Sequence, residues 1–145
     1  MVKVLVKRLD SKVKIPEYKT SGSSGMDLMA FVKNSIKIAP NTLKLIPTGL
    51  SIAIPEDLEI QIRPRSGLAA KSSISVLNTP GTIDSDYRGE LKIILFNHGN
   101  KDFIVNNEDR IAQMVLTPVI KMELEEVDQL PKTIRGSGGF GSTGK

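Results

Sequence analysis

The segment Asn78-Thr79-Pro80-Gly81-Thr82-Ile83-Asp84-Ser85-Asp86-Tyr87-Arg88-Gly89-Glu90 gathers three carboxylates, an amide, a phenol ring and a guanidinium into thirteen residues. A fixed carboxylate can orient and deprotonate a water, and a flat ring with an amide beside it can grip a small polar ring compound. Loops of this composition are commonly solvated turns. Here Asp84 follows the apolar Ile83 beside a strand end, where a neighbouring core can fix it, and Tyr87 is one of only six aromatic residues in the chain.

What the chain lacks narrows the chemistry. It has no cysteine and a single histidine, His98, in the turn-like Asn97-His98-Gly99-Asn100. Ser-His-Asp, Cys-His and His-rich zinc mechanisms therefore have too few residues to work with. What remains is a carboxylate acting on water, with a hard cation bound through oxygen. The formal charge of +4 is spread along the chain without a basic stripe, so a polyanionic small molecule fits it and direct nucleic-acid binding is not expected.

Three further polar clusters could serve such a ligand. In Arg63-Pro64-Arg65-Ser66-Gly67-Leu68 a strand ends at Pro64 and a short helix can begin near Ser66. Backbone N–H groups, the Ser66 hydroxyl and the Arg65 fork would then share one space, an arrangement suited to phosphate. Lys71 follows and can add charge. Ser21-Gly22-Ser23-Ser24-Gly25-Met26-Asp27-Leu28 is a loop entering a strand. In Arg110-Ile111-Ala112-Gln113-Met114-Val115-Leu116 strict alternation puts Gln113 on a face with Ile111 and Val115, where a buried amide needs either a ligand or backbone partners.

The elements that must position these groups read as strands from end to end. Leu58–Arg63 and Ile120–Glu125 alternate strictly, and Met1–Lys7, Ser51–Ile54, Ile74–Leu77, Leu91–Phe96 and Phe103–Val105 suit strands too. The eight prolines fall at or near the ends of these runs. Only Ser66–Ser73 offers a helical turn or two. The pattern predicts one all-β domain over residues 1–145, a jelly-roll-like barrel or sandwich with one short helix. Met1–Lys7 lacks the apolar core of a signal peptide and no run reaches transmembrane length, so a soluble, cytoplasmic protein is expected.

The glycine-rich end, Arg135-Gly136-Ser137-Gly138-Gly139-Phe140-Gly141-Ser142-Thr143-Gly144-Lys145, contains a dinucleotide-like glycine pattern and most of a Walker A pattern. Neither has the strand before and helix after that its mechanism requires. Residues 132–145 read instead as a mobile arm on a 1–131 core, able to wrap phosphates with its N–H groups.

Gly81-Thr82-Ile83-Asp84-Ser85-Asp86-Tyr87-Arg88-Gly89 resembles the third of five motifs of the trimeric deoxyuridine triphosphate nucleotidohydrolases, the dUTPases. The Asp27, Arg65-Ser66, Gln113 and arm clusters resemble the other four, in order. The resemblance implies hydrolysis of dUTP to dUMP and pyrophosphate by a homotrimer whose active sites are shared between subunits, with Mg²⁺ carried by the triphosphate and no direct protein ligand to it. That reaction would limit uracil incorporation into DNA and supply dUMP for dTMP synthesis. It makes Asp84 the base for the attacking water and sets Tyr87 against the deoxyribose. Asn78, with Thr82 and Ile83, would read the uracil edge. Arg65, Ser66, Gly67, Gln113 and Arg135 would face the phosphates, while Phe140, Gly141 and Ser142 would close over the ligand, and Asp27 and Lys71 would support. The related dCTP deaminases carry a glutamate at the fifth position after the hairpin glycine, where this chain has Ile94. A non-catalytic nucleotide-binding trimer is the other alternative, and the retained Asp84, Tyr87 and arm speak against it.

Overall fold

In the computed structural model, which describes residues 1–141, short runs of β-branched and aliphatic residues form eleven strands and one short helix. The strands are β1 (Leu5–Arg8), β2 (Met26–Met29), β3 (Ile36–Ile38), β4 (Leu43–Pro47), β5 (Leu50–Ala53), β6 (Leu58–Arg63), β7 (Ile74–Val76), β8 (Gly81–Ile83), β9 (Lys92–Asn97), β10 (Phe103–Val105) and β11 (Arg110–Pro118). Helix α1 spans Ser66–Ser72 between β6 and β7. All the strand pairs are antiparallel, in the orders β2-β11-β6-β8 and β4-β9-β7, with the two-stranded pairs β1-β5 and β10-β3. This is the jelly-roll-like all-β fold that the alternating pattern predicts.

The alternation also explains the core. Ile60 and Ile62 on β6, Ile93 and Leu95 on β9, and Ile74 and Val76 on β7 all point inward, joined by Leu28, Ile38, Ile46 and Ile111. Burying an aliphatic side chain of this size contributes about 1.5–3 kcal/mol. The polar side chain of Asn97 is fully enclosed among them and is satisfied there: it donates to the Ile38 and Lys101 carbonyls and accepts from the Gly99 N–H.

The excursion between β7 and β9 changes sheets. β7 and β9 are neighbours, as a hairpin requires, but the chain between them leaves their sheet, adds β8 to the edge of the other sheet against β6, and then returns. Asp84 is the first residue after β8. Leu91 is pinned to the turn between β4 and β5: its N–H donates to the Leu50 carbonyl at 2.8 Å, and the Thr48 hydroxyl donates to its carbonyl at 2.7 Å.

Two expectations from periodicity are corrected. The first strand begins at Leu5, not Met1. Ile120–Glu125 alternates as a strand does but forms none, and Ile120, Met122 and Leu124 are almost wholly exposed. Alternation records that a segment has an apolar side. It does not supply the partner strand and core that make this side a strand face.

Candidate active site

Two separate groups of site residues emerge, one at each end of β6. At the C-terminal end the chain turns at Pro64 into α1, whose N-cap is Arg65 in an extended conformation (φ −92°, ψ 126°). Among the described residues no side chain caps this helix, and its first turn holds no acidic residue, so the N–H groups around Ser66 and Gly67 suit an anion. A Cβ at Gly67 would meet nothing within 4 Å, and Ser66 is exposed.

Asp27 holds the guanidinium there. Its carboxylate accepts from Arg65 Nε at 2.8 Å and from Arg110 Nη1 at 3.3 Å, and its side chain is only 11% exposed. Arg65 Nη1 also donates to the Arg110 carbonyl at 3.4 Å. Asp27 therefore aims two cations and offers no free pair of oxygens of its own. Both Asp27 and Arg110 line a groove of about 630 Å³ together with Arg8, Lys12, Lys14, Lys19 and Glu17; Lys14 and Lys19 are paired with Glu108 and Glu17, and the lining as a whole keeps a net positive charge suited to a polyphosphate.

Gln113 joins this group for a reason that strict alternation misses. A register shift between Arg110 and Ala112 buries Ile111 and Ala112 consecutively and reverses the phase of the strand behind them. Gln113 consequently lies opposite Asp27 on β2 and Arg63 on β6, in a polar row across the sheet, and not in the core with Ile111. Lys71 is exposed in the last turn of α1, with no ion pair among the described residues.

The second group lies at the end of β8. Thr82, Ile83, Asp84 and Tyr87 line a hollow of about 300 Å³ together with Leu45, Glu90 and Lys92. The Asp84 carboxylate makes no hydrogen bond or ion pair among the described residues, while the backbone around it is braced: the Tyr87 N–H donates to the Asp84 carbonyl at 3.2 Å, and Arg88 Nη1 donates to the Ser85 and Tyr87 carbonyls. Glu90 accepts from the Gly49 N–H at 3.0 Å and lies 3.9 Å from Lys92 Nζ. Asn78 folds back over Gly81, where a Cβ would come within 3.2 Å of its amide nitrogen.

Ile83 pairs with Ile60, so Asp84 is level with the start of β6 while Arg65 follows its end. Six residues of strand at 3.3 Å each hold the two groups about 20 Å apart. Among the described residues of the arm, Arg135 Nε donates to the Gly138 carbonyl, and Phe140 and Gly141 stand exposed, with no hydrogen bond or ion pair to either group. Ser142 lies outside the described residues.

Arg110, Glu90 and Lys92 are the participants that sequence reasoning passed over. Arg110 opens the same run as Gln113, and Glu90 closes the Asp84 segment, so position beside a recognised cluster was the available signal.

Residues 11–144 match the family model for dUTPase. The chain belongs to the dUTPase family. It is 55% identical over 130 residues to the deoxyuridine 5'-triphosphate nucleotidohydrolase of Treponema denticola, with 90% of each chain covered. The enzyme of that name from Rickettsia bellii is 54% identical over 145 residues, covering 99% of this chain and 97% of the relative. In fold the chain is similar to a variant dUTPase of Staphylococcus bacteriophage 80alpha solved with dUpNHpp, at TM-score 0.89 and 23% identity over 100% of both chains. It is also similar to a dUTPase variant from phage phi11 of S. aureus whose structure describes a structural Mg(II) ion, at TM-score 0.81 and 21% identity over 90% of this chain and 100% of the other.

Proposed function

We propose that this member of the dUTPase family is a dUTP diphosphatase that hydrolyses dUTP to dUMP and pyrophosphate, with water attacking the α-phosphorus. The observation that carries the reading is the Asp84 carboxylate, without a partner among the described residues and held on a braced turn in a hollow beside Tyr87. Asp84 orients the attacking water and takes its proton. Arg65 and Arg110, aimed by Asp27, receive the triphosphate with the uncapped N–H groups of α1, the Ser66 hydroxyl and Gln113. Tyr87 stands where a ribose 2′-hydroxyl would have to fit. Asn78 and the β8 backbone meet the uracil edge, and each mispaired buried group there costs on the order of 1–3 kcal/mol, which discriminates against cytosine.

Magnesium fits this arrangement through the substrate. Asp27 is engaged by two guanidinium groups, so the cluster suits a triphosphate that brings its own cation better than a bare ion. Bound in that way, Mg²⁺ would neutralise charge on the phosphate oxygens.

The same reading makes the active enzyme a homotrimer with shared sites. It is supported by the separation of about 20 Å between Asp84 and Arg65, too far for one dUTP to touch both within one chain. It is supported also by Ile120, Met122, Leu124, Leu130 and Ile134, which stand exposed among the described residues of a single chain. Residues 132–145 then act as an arm closing over a site on a 1–131 core, with Arg135 at the phosphates and Phe140 over the uracil. Among the described residues no helix is long and apolar enough to cross a membrane, and we assign the enzyme to the cytoplasm, guarding DNA from uracil and feeding dTMP synthesis.

Pyrophosphate release from dUTP, dCTP, dTTP and UTP with Mg²⁺ tests the reaction. Turnover confined to dUTP and lost in Asp84→Asn is expected; ammonia from dCTP, or dUTP binding without turnover, would overturn it. Complementation tests the shared site. Asp84→Asn and Arg65→Ala chains are each inactive alone, and refolded together in equal amounts they regain about a quarter of wild-type activity if every site takes the two residues from different chains. No recovery would refute sharing.

A further inference from the structure

The ring of Tyr87 occupies the place where a side chain on Gly89 would begin. A Cβ built on Gly89 would lie 2.5 Å from Tyr87 Cζ and 2.9 Å from Cε2, and would collide with Oη as well. Carbon atoms in contact prefer about 3.5–4.0 Å, so ring and methyl group cannot share the space. The backbone of Gly89 is not in the left-handed region, which leaves this packing as the reason for glycine.

The far end of the ring is held as well. Tyr87 Oη donates to the Glu90 carbonyl at 2.9 Å. That carbonyl is a fixed peg, because the Glu90 carboxylate accepts from the Gly49 N–H at 3.0 Å and Leu91 is bonded on both sides to Thr48 and Leu50. At its near end, the Tyr87 N–H donates to the Asp84 carbonyl. Tyr87 is thus tied through its backbone to the turn of the proposed base and through its hydroxyl, by way of Glu90, to the turn between β4 and β5, with the gap at Gly89 making room for the ring.

We propose that Gly89 is a positioning residue for Tyr87 and sets how strictly the site rejects ribonucleotides. The inference rests on the reading of Tyr87 as the group that stands against the sugar. The three atoms nearest a methyl at residue 89 all belong to the side chain of Tyr87, which is 43% exposed and free to move, so the fold survives while the ring swings off its peg.

The experiment measures kcat/KM for dUTP and UTP, and affinity for dUpNHpp and its ribose counterpart, in wild type, Gly89→Ala, Tyr87→Phe, Tyr87→Ala and Gly89→Ala/Tyr87→Ala. The dUTP/UTP ratio is expected to fall about tenfold in Gly89→Ala and about threefold in Tyr87→Phe, which loses one neutral hydrogen bond. Tyr87→Ala sets the floor, and adding Gly89→Ala to it should change the ratio no further, because Gly89 acts only through the ring. Equal losses on both nucleotides in Gly89→Ala, or a further fall in the double variant, would overturn the proposal. If Gly89→Ala fails to fold, an unchanged ratio in Tyr87→Phe overturns it. Should the wild type hydrolyse neither nucleotide, the hydrolysis reading fails, and the affinity ratio of the two analogues decides this inference separately.

Discussion

Replacing Asp27 and Arg65 by alanine, singly and together, measures what the phosphate-facing cluster spends on aiming its guanidinium groups. The two side chains meet at 2.8 Å with only 11% and 24% of their surfaces exposed, and the bond is charge-assisted. Such bonds contribute about 1.5–3 kcal/mol, against about 0.2–1 kcal/mol for exposed pairs. Partial exposure of Arg65 puts the expected coupling near the lower end, at about 1.5–2 kcal/mol, or roughly 5 °C in melting temperature for a chain of this length. Lys14–Glu108, at 60% and 47% exposure, is the internal control and should couple by about 0.5 kcal/mol or less. Urea unfolding of both cycles at one fixed protomer concentration, in 0.1 M and 1 M NaCl, gives the comparison. The control coupling should vanish in high salt while most of the Asp27–Arg65 coupling remains. Equal coupling for the two pairs, or an Asp27–Arg65 value below about 0.5 kcal/mol, would show that shelter at this site does not hold Arg65 in place.

Two other perturbations have definite signs. A Cβ at Gly25 would lie 2.9 Å from the Met114 carbonyl oxygen and from Val115 Cγ2, and since a backbone atom cannot swing aside, Gly25→Ala should destabilise by about 1–3 kcal/mol in urea titration. Glu17, hydrogen-bonded to Lys19 Nζ and attracted by its charge, has its carboxyl held below the ordinary glutamate value. Its pairing is therefore fully present above that ordinary value and is lost as pH falls through the lowered one. Carboxyl NMR should show this midpoint rise in Lys19→Ala, and an unchanged midpoint would contradict the assignment.

Much of the fold was legible because its signals are local. The alternation of Leu58–Arg63 and Phe103–Val105 gave β6 and β10 with the same ends, and Pro64 followed by Ser66 marked where β6 stops and α1 starts. His98 is exposed, as its turn composition predicts, where it bonds Ser75 and leans on Phe96. Position 113 shows the limit. One extra residue between Arg110 and Ala112 reverses every face after it, and nothing in the side-chain pattern marks where such a bulge falls. Ile120–Glu125 fails in the opposite direction, with the right period and no partner strand among the described residues.

The sequence by itself determined which groups can do chemistry: a carboxylate, two arginines and a tyrosine with no thiol and one turn histidine, on strands whose period is written in every second residue. It also determined the family, because five short motifs keep their order. Only the tertiary structure decided where those groups stand. It sent the Asp84 excursion across to the edge of the β6 sheet, joined Asp27 to Arg65 and Arg110 over 38 and 83 residues of chain, and left Asp84 at the other end of β6. The physical reason is that period and composition act within a few residues, whereas strand order and register are fixed by which apolar faces can be buried against one another at once.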